Sequence, residues 1–137
     1  MATFNKFNAF VENIAEGVHN LGSGQLVVAL SNAAPIATNS VLADITQITY
    51  TNLSSRNITT TSSAQTSGTY KLVLTDLVLT ATGAVGPFRY AVVYNDTPTS
   101  PADPLIGWYD YGSSISLASG ETLTIDFDAT NGLLTLA

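Results

Sequence analysis

The stretch Gly86–Gly112 constrains the fold most, because it holds two aromatic-rich segments separated by a proline-rich loop. In the first segment, FRYAVVYN, large apolar residues occupy both odd and even positions. Successive side chains of a strand point to opposite faces, so this pattern predicts a strand covered on both sides. The second segment, LIGWYDY, is also two-sided, with Ile106 and Trp108 on one parity and Leu105 and Tyr109 on the other. The two segments are predicted to form a long hairpin at the centre of a sheet.

Shorter strand patterns, separated by turn residues, fill the rest of the chain after residue 25. The polar, β-branched segment Ile58–Ser63 is predicted to be an edge strand or an exposed arm. Within Thr69–Thr82 the apolar parity shifts by one residue, which predicts a turn or bulge at Thr75 and Asp76. A single helical turn is predicted near Asp44. Further strands are predicted at Gln25–Ser31, from Ile115 and Leu117 onward, at Leu123–Asp128 and at Leu133–Leu136.

The N-terminal segment has the spacing of an amphipathic helix. Apolar residues recur every three or four positions, at Phe4, Phe7, Val11, Ile14, Val18 and Leu21. Thr3 is a candidate N-cap, and Gly22 is the preferred stop, with Gly17 as the alternative. The apolar stripe either packs on the body of the same chain or, together with Phe10, docks on a neighbouring subunit.

These patterns together predict a mainly β protein. The expected architecture is an antiparallel β-sandwich or jelly roll of about eight strands with one N-terminal amphipathic helix. Residues 1–22 form the helical segment and residues 23–137 the β domain. With 137 residues and no cysteine, the fold must be held by apolar burial and by the sheet ladders alone.

Charge is sparse in this chain and acidic in balance. Only 10% of the residues are charged, against about 25% in ordinary soluble domains, and the formal net charge is −6. The four cationic residues are scattered, so we expect no nucleic-acid partner. No signal-peptide pattern or membrane-spanning apolar run is present, and we expect a soluble product made in the cytoplasm and not associated with a membrane.

No residue pattern in the sequence predicts a reaction. The one histidine, His19, lies off the apolar stripe without a motif that would supply a nucleophile, so a solvent-facing or backbone-bonded role is expected. Asp126 and Asp128 share a strand face, and Asp110 can approach them across the sheet, which is a possible calcium ligand set. Alternate acidic residues on an outer face are normally just solvated, and that is the interpretation adopted. We therefore predict a protein that is not an enzyme, with no catalytic residue, cofactor or metal.

Three long runs carry a resemblance to a known family. They are FNKFNAFVENIAEGVHNLGSGQLVVALSNAAP at the start, GPFRYAVVYND in the middle, and LIGWYDYGSSISLASGETLTIDFD near the end. Together they resemble a family of small virion structural proteins of tailed bacteriophages, and the similarity spans nearly the whole chain. Members of this family resemble head decoration, or cement, proteins of jelly-roll type.

The resemblance implies a capsid location in the virion and two partners. These are the major capsid protein and further copies of this chain, as a dimer or trimer. Affinity in such assemblies comes from a few aromatic anchors in a close-fitting patch. The candidate interface residues are Phe4, Phe7, Phe10, Trp108, Tyr109 and Tyr111, although packing within the same chain is the preferred interpretation of each. The competing hypothesis is a tail or fibre-associated module that binds a receptor or carbohydrate through aromatic and carboxylate side chains.

Overall fold

The computed structural model describes residues 2–137, and it confirms the predicted class. Strands account for 47% of the chain and helical residues for 8%, with nine strands in antiparallel sheets and one α-helix in the described range. The strands are β1 (Phe4–Lys6), β2 (Leu26–Ser31), β3 (Thr60–Thr66), β4 (Thr69–Leu74), β5 (Leu77–Thr80), β6 (Val85–Asn95), β7 (Leu105–Leu117), β8 (Thr122–Ile125) and β9 (Leu134–Leu136). The helix is α1 (Asn8–Ala15), and a 3-10 turn at Leu42–Asp44 confirms the predicted helical turn.

The central hairpin is confirmed. β6 and β7 are the two inner strands of a four-stranded sheet in the order β1-β7-β6-β2. Residues of β6 reach two separate apolar clusters. Ala91 and Val93 belong to the larger one, hereafter the main core, and Val92 and Tyr94 belong to the smaller one, hereafter the second cluster. Both faces of this sheet are therefore covered, as the two-sided sequence pattern predicts.

A bulge in β7 changes which side chains share a face. Val93 pairs with Gly107, whereas Tyr94 pairs with Leu105, so Ile106 is an extra residue in the ladder. Ile106 then lies in the main core, while Trp108 packs against the second cluster. The prediction that Ile106 and Trp108 share a face is wrong, because one inserted residue reverses the alternation beyond it. β7 also continues to Leu117 without a new strand beginning at Ile115.

Two smaller sheets form the opposing layer. Their orders are β3-β4-β9 and β5-β8. The predicted parity shift at Thr75 and Asp76 is confirmed, since these residues separate β4 from β5 and the two strands enter different sheets. The main core joins both layers. Leu72 of β4, Leu79 of β5 and Phe127, which follows β8, pack with the inner residues of β2, β6 and β7. The architecture is thus sandwich-like.

The N-terminal helix is shorter than predicted. It ends at Ala15, and Gly17 follows with a φ of +75°, the left-handed conformation that ends many helices. Gly22 as the stop and Thr3 as the cap are therefore wrong. On the helix the buried side chain is Phe10, whereas Val11 is 52% exposed, so the apolar stripe is also misplaced.

Residues before the helix extend the four-stranded sheet. Phe4 pairs with Tyr109 and Lys6 with Gly107, which makes β1 an edge strand beside β7. Gly107 permits this approach, because a Cβ there would overlap the Phe4 ring. Phe10 and Leu21 join the main core, which is the same-chain packing that the sequence left as one alternative. The division of the chain at residue 22 stays a prediction.

The opposite edge of the sheet, at β2, is closed by other parts of the chain. The Arg56 backbone oxygen accepts a hydrogen bond from the Val28 N–H, and the Arg56 guanidinium donates to the Val28 oxygen. Leu30 is bonded in the same way, because its N–H donates to the Tyr50 hydroxyl at 2.9 Å and its oxygen accepts from Ile48. This strand has no free backbone groups at Val28 and Leu30 to offer to another chain.

Across residues 2–137 we find no helix with the length and apolar character needed to span a membrane.

Candidate interaction surfaces

Three of the six aromatic residues predicted as interface candidates are enclosed by the chain itself. Phe7 is 0% exposed, Phe10 3% and Tyr109 5%. These three residues therefore pack in the core, which is one of the two predicted alternatives. Phe4 and Trp108 are only partly buried. Tyr111 has the same intermediate exposure, so the accessible aromatic surface belongs to this second group of three.

Trp108 and Phe4 lie on buried aromatic partners. The Trp108 and Phe7 ring centroids are 4.5 Å apart, and those of Phe4 and Tyr109 are 5.1 Å apart, both in tilted arrangements. Such pairs add to the stabilisation that burial provides. Both partly buried rings are therefore held in place by contacts within the chain.

Replacing Trp108 with alanine is expected to reduce the free energy of unfolding by about 1–3 kcal/mol. The value lies between the cost of losing a fully buried ring and that of losing an exposed one, because one side of the indole rests on Phe7. Urea denaturation of the wild type and the variant measures it. An unchanged midpoint would show that the indole is a free anchor.

A cleft of about 620 Å³ lies beside β7 and β8. Its lining includes Tyr109, Tyr111, Asp110, Asp126 and Thr124. Burial, with a smaller contribution from the negative charge of Asp126, raises the pKa of Tyr111 to about 12, so the phenol keeps its proton at neutral pH. The cleft therefore combines a protonated phenol, an aromatic surface and the Asp126 carboxylate in its lining.

The prediction that Asp126 and Asp128 share a strand face is wrong, because β8 ends at Ile125 and Asp128 has a left-handed φ of +54°. Of the three predicted carboxylates, only Asp110 and Asp126 line the cleft. Asp110 pairs with Arg89 through two contacts of 2.7 and 3.0 Å, and this guanidinium lowers the pKa of the carboxyl group. Asp128 caps a turn by accepting hydrogen bonds from Thr130 and Asn131. Within the described residues no three histidine, cysteine, aspartate or glutamate side chains are grouped so as to hold a metal ion.

His19 is buried and its Nδ1 contacts a side chain, so both predicted roles, solvent-facing and backbone-bonded, are wrong. It is 7% exposed, follows the helix, and packs against the Phe10 ring at 5.2 Å. Asn95 lies 3.2 Å from Nδ1 and uses its own oxygen to accept a hydrogen bond from the Thr97 N–H. The Asn95 amide nitrogen must therefore donate to Nδ1, which places the imidazole proton on Nε2. Nε2 has no hydrogen-bond partner in residues 2–137, and burial lowers the pKa of His19 to about 4.

The hairpin of β3 and β4 forms an arm, hereafter the β3–β4 arm, that extends from the sandwich. Ser67 and Gly68 connect its strands. Their φ values of 52° and 84° are both positive, as in the type I′ turns that commonly form two-residue hairpin loops. The side chains of residues 64–69 are all exposed. β3 lies at the end of its sheet and, in the part of the chain that the structure describes, pairs with β4 alone. The predicted edge strand or arm is present, two residues later than its predicted start.

The chain was compared with protein-family models, curated proteins and solved structures. No family model, curated protein or solved structure matches the chain.

Proposed function

We propose that this protein is a structural component of a tailed-bacteriophage virion. More specifically, we propose a capsid decoration, or cement, protein that binds the major capsid protein and further copies of itself and so stabilises the shell. The proposed location is the capsid, after synthesis in the cytoplasm of a bacterial host. In this role the protein acts by binding, without turnover or a cofactor.

The observation that carries the proposal is the β3–β4 arm. It offers a seven-residue strand whose outer edge is unpaired in the described chain, beside side chains exposed on both faces. A strand of this kind can add backbone hydrogen bonds to a neighbouring protein in a regular shell, where copy number multiplies a weak contact. The three sequence runs that resemble phage structural proteins support the virion setting.

Heads assembled with the protein are expected to retain their DNA at higher temperature than heads without it. The reason is that each bound copy adds contact area between shell subunits, and binding to the intact shell opposes its opening. Release of DNA during a temperature ramp, followed with an intercalating dye, measures the difference. Adding purified protein back to bare heads provides the control and should restore the higher temperature. Equal release temperatures for bare and decorated heads would contradict the cement role.

The cleft beside Tyr111 favours a second candidate function. An aromatic face next to carboxylate and hydroxyl groups is suited to a sugar, which stacks on the ring and donates its hydroxyls. A carbohydrate-binding tail or fibre module would use this site. Titration with polysaccharide from the host surface tests it: binding that Tyr111→Ala abolishes would favour this candidate, while no binding is expected of a cement protein.

A further inference from the structure

We propose that β3 is the surface through which two copies of this chain associate, by antiparallel pairing of their β3 strands. This inference rests on the proposed function, since it assigns the self-association of the cement protein to one surface. The resulting interface is isologous: the same strand contributes from both copies, and a two-fold axis relates them.

β3 is the longest strand that stands at the end of a sheet in residues 2–137. It has seven residues, whereas β1 and β9 have three each and β5 and β8 four each. β2 has six, but the segment around Tyr50 and Arg56 already bonds its outer edge. β3 also has no proline or charged residue, which are the usual devices that prevent edges from pairing.

The hairpin turn determines which backbone groups of β3 face outward. Thr66 and Thr69 close a two-residue turn and pair with each other, so they form a hydrogen-bonded pair. Alternation along the ladder then directs the N–H and C=O groups of Ser63 and Gln65 away from β4. In a two-fold antiparallel pairing, Ser63 of one copy bonds Gln65 of the other, and the two Ala64 residues lie opposite each other.

The charge distribution favours a second copy as the occupant of this edge. Residues 45–75 contain no aspartate or glutamate and include Arg56 and Lys71, although the whole chain carries a net charge of −6. All ten acidic residues lie outside this range, so two copies would repel each other over most of their surface. Small or uncharged side chains from Thr60 to Thr66 let the two arms approach without opposing like charges.

The test uses a pair of charge variants at Ala64. Sedimentation of the full chain is measured at concentrations up to about 1 mM, which populates even a dimer whose Kd lies in the high micromolar range. Wild-type protein is expected to dimerise. Ala64→Glu and Ala64→Lys are each expected to weaken the dimer about tenfold or more, because each places two like charges directly opposite one another. An equimolar mixture of the two variants should restore association.

Val78→Glu and Val78→Lys serve as matched controls, because Val78 is a strand residue that is 53% exposed but lies in β5, outside the proposed interface. These controls should dimerise like the wild type, and circular dichroism should show all four variants folded. A monomeric wild type, dimers unaffected by either Ala64 variant, or a mixture that stays monomeric would each overturn the inference. Binding to bare heads is measured in parallel. A monomer that still binds heads refutes only the β3 pairing, whereas a dimer that does not bind heads refutes only the cement role.

Discussion

Replacing Phe127 with alanine is expected to lower the free energy of unfolding by about 3–5 kcal/mol. The ring is 0% exposed and lies 6.3 Å from the ring of Tyr109, which belongs to the opposite layer. Its removal costs the transfer free energy of the side chain and leaves a cavity between the layers that rigid strands fill poorly. Urea denaturation monitored by circular dichroism measures the change.

Val78→Ala is the matched control for this substitution, because it also removes apolar atoms from a strand residue but at an exposed position. Its expected effect is within about 0.5 kcal/mol. If Phe127→Ala lowered the free energy of unfolding by no more than this control, the conclusion that Phe127 is packed in the core between the two layers would be incorrect.

The contribution of His19 to the free energy of unfolding is expected to fall by about 3 kcal/mol as the pH decreases from 6.5 to 4. The pKa of His19 is lowered from 6.5 to about 4 in the folded chain, so over this interval the unfolded chain binds a proton that the folded chain does not. Protonation of Nδ1 would also remove the acceptor that Asn95 uses. Urea midpoints at intervals across this pH range measure the effect.

His19→Asn isolates this contribution, because an asparagine oxygen can take the place of Nδ1 without titrating. The variant is expected to be less stable at pH 7, since it loses the contact with Phe10, but its stability should depend less on pH. His19 is the one histidine in the chain, so no other imidazole contributes between pH 5 and 7. Parallel pH profiles for the two proteins would contradict the assignment.

The parts of the fold that the sequence predicts well are those set by local alternation. β6 shows large apolar residues on both parities, and the structure covers both faces of its sheet. The parity shift at Thr75 and Asp76 is similarly local, because a strand that changes sheets must turn its apolar face.

The failures arise where distant pairing overrides the local pattern. Phe4–Lys6 fits a helical spacing, yet pairing with Tyr109, Trp108 and Gly107, about 100 positions away, makes it a strand. The bulge at Ile106 is visible only as a change of register against β6. The burial of His19 likewise depends on Asn95, which is 76 positions away. No periodicity within a single segment carries this information.

The candidate surfaces show the same division. Polar β-branched residues after Ile58 predict an edge strand, and the structure places it at the end of a sheet. Aromatic residues near Trp108 predict either core or interface, and composition alone does not separate the two. Burial does so, because it places Phe7, Phe10 and Tyr109 inside the chain.

Electron microscopy of the phage particle that carries this protein tests the proposed cement role most directly. For a cement protein, the sandwich of residues 2–137 is expected in many icosahedrally related copies on the outer surface of the head, in contact with the major capsid protein. A particle with only a few copies, all located at the tail, would contradict this role and favour the carbohydrate-binding function of the cleft.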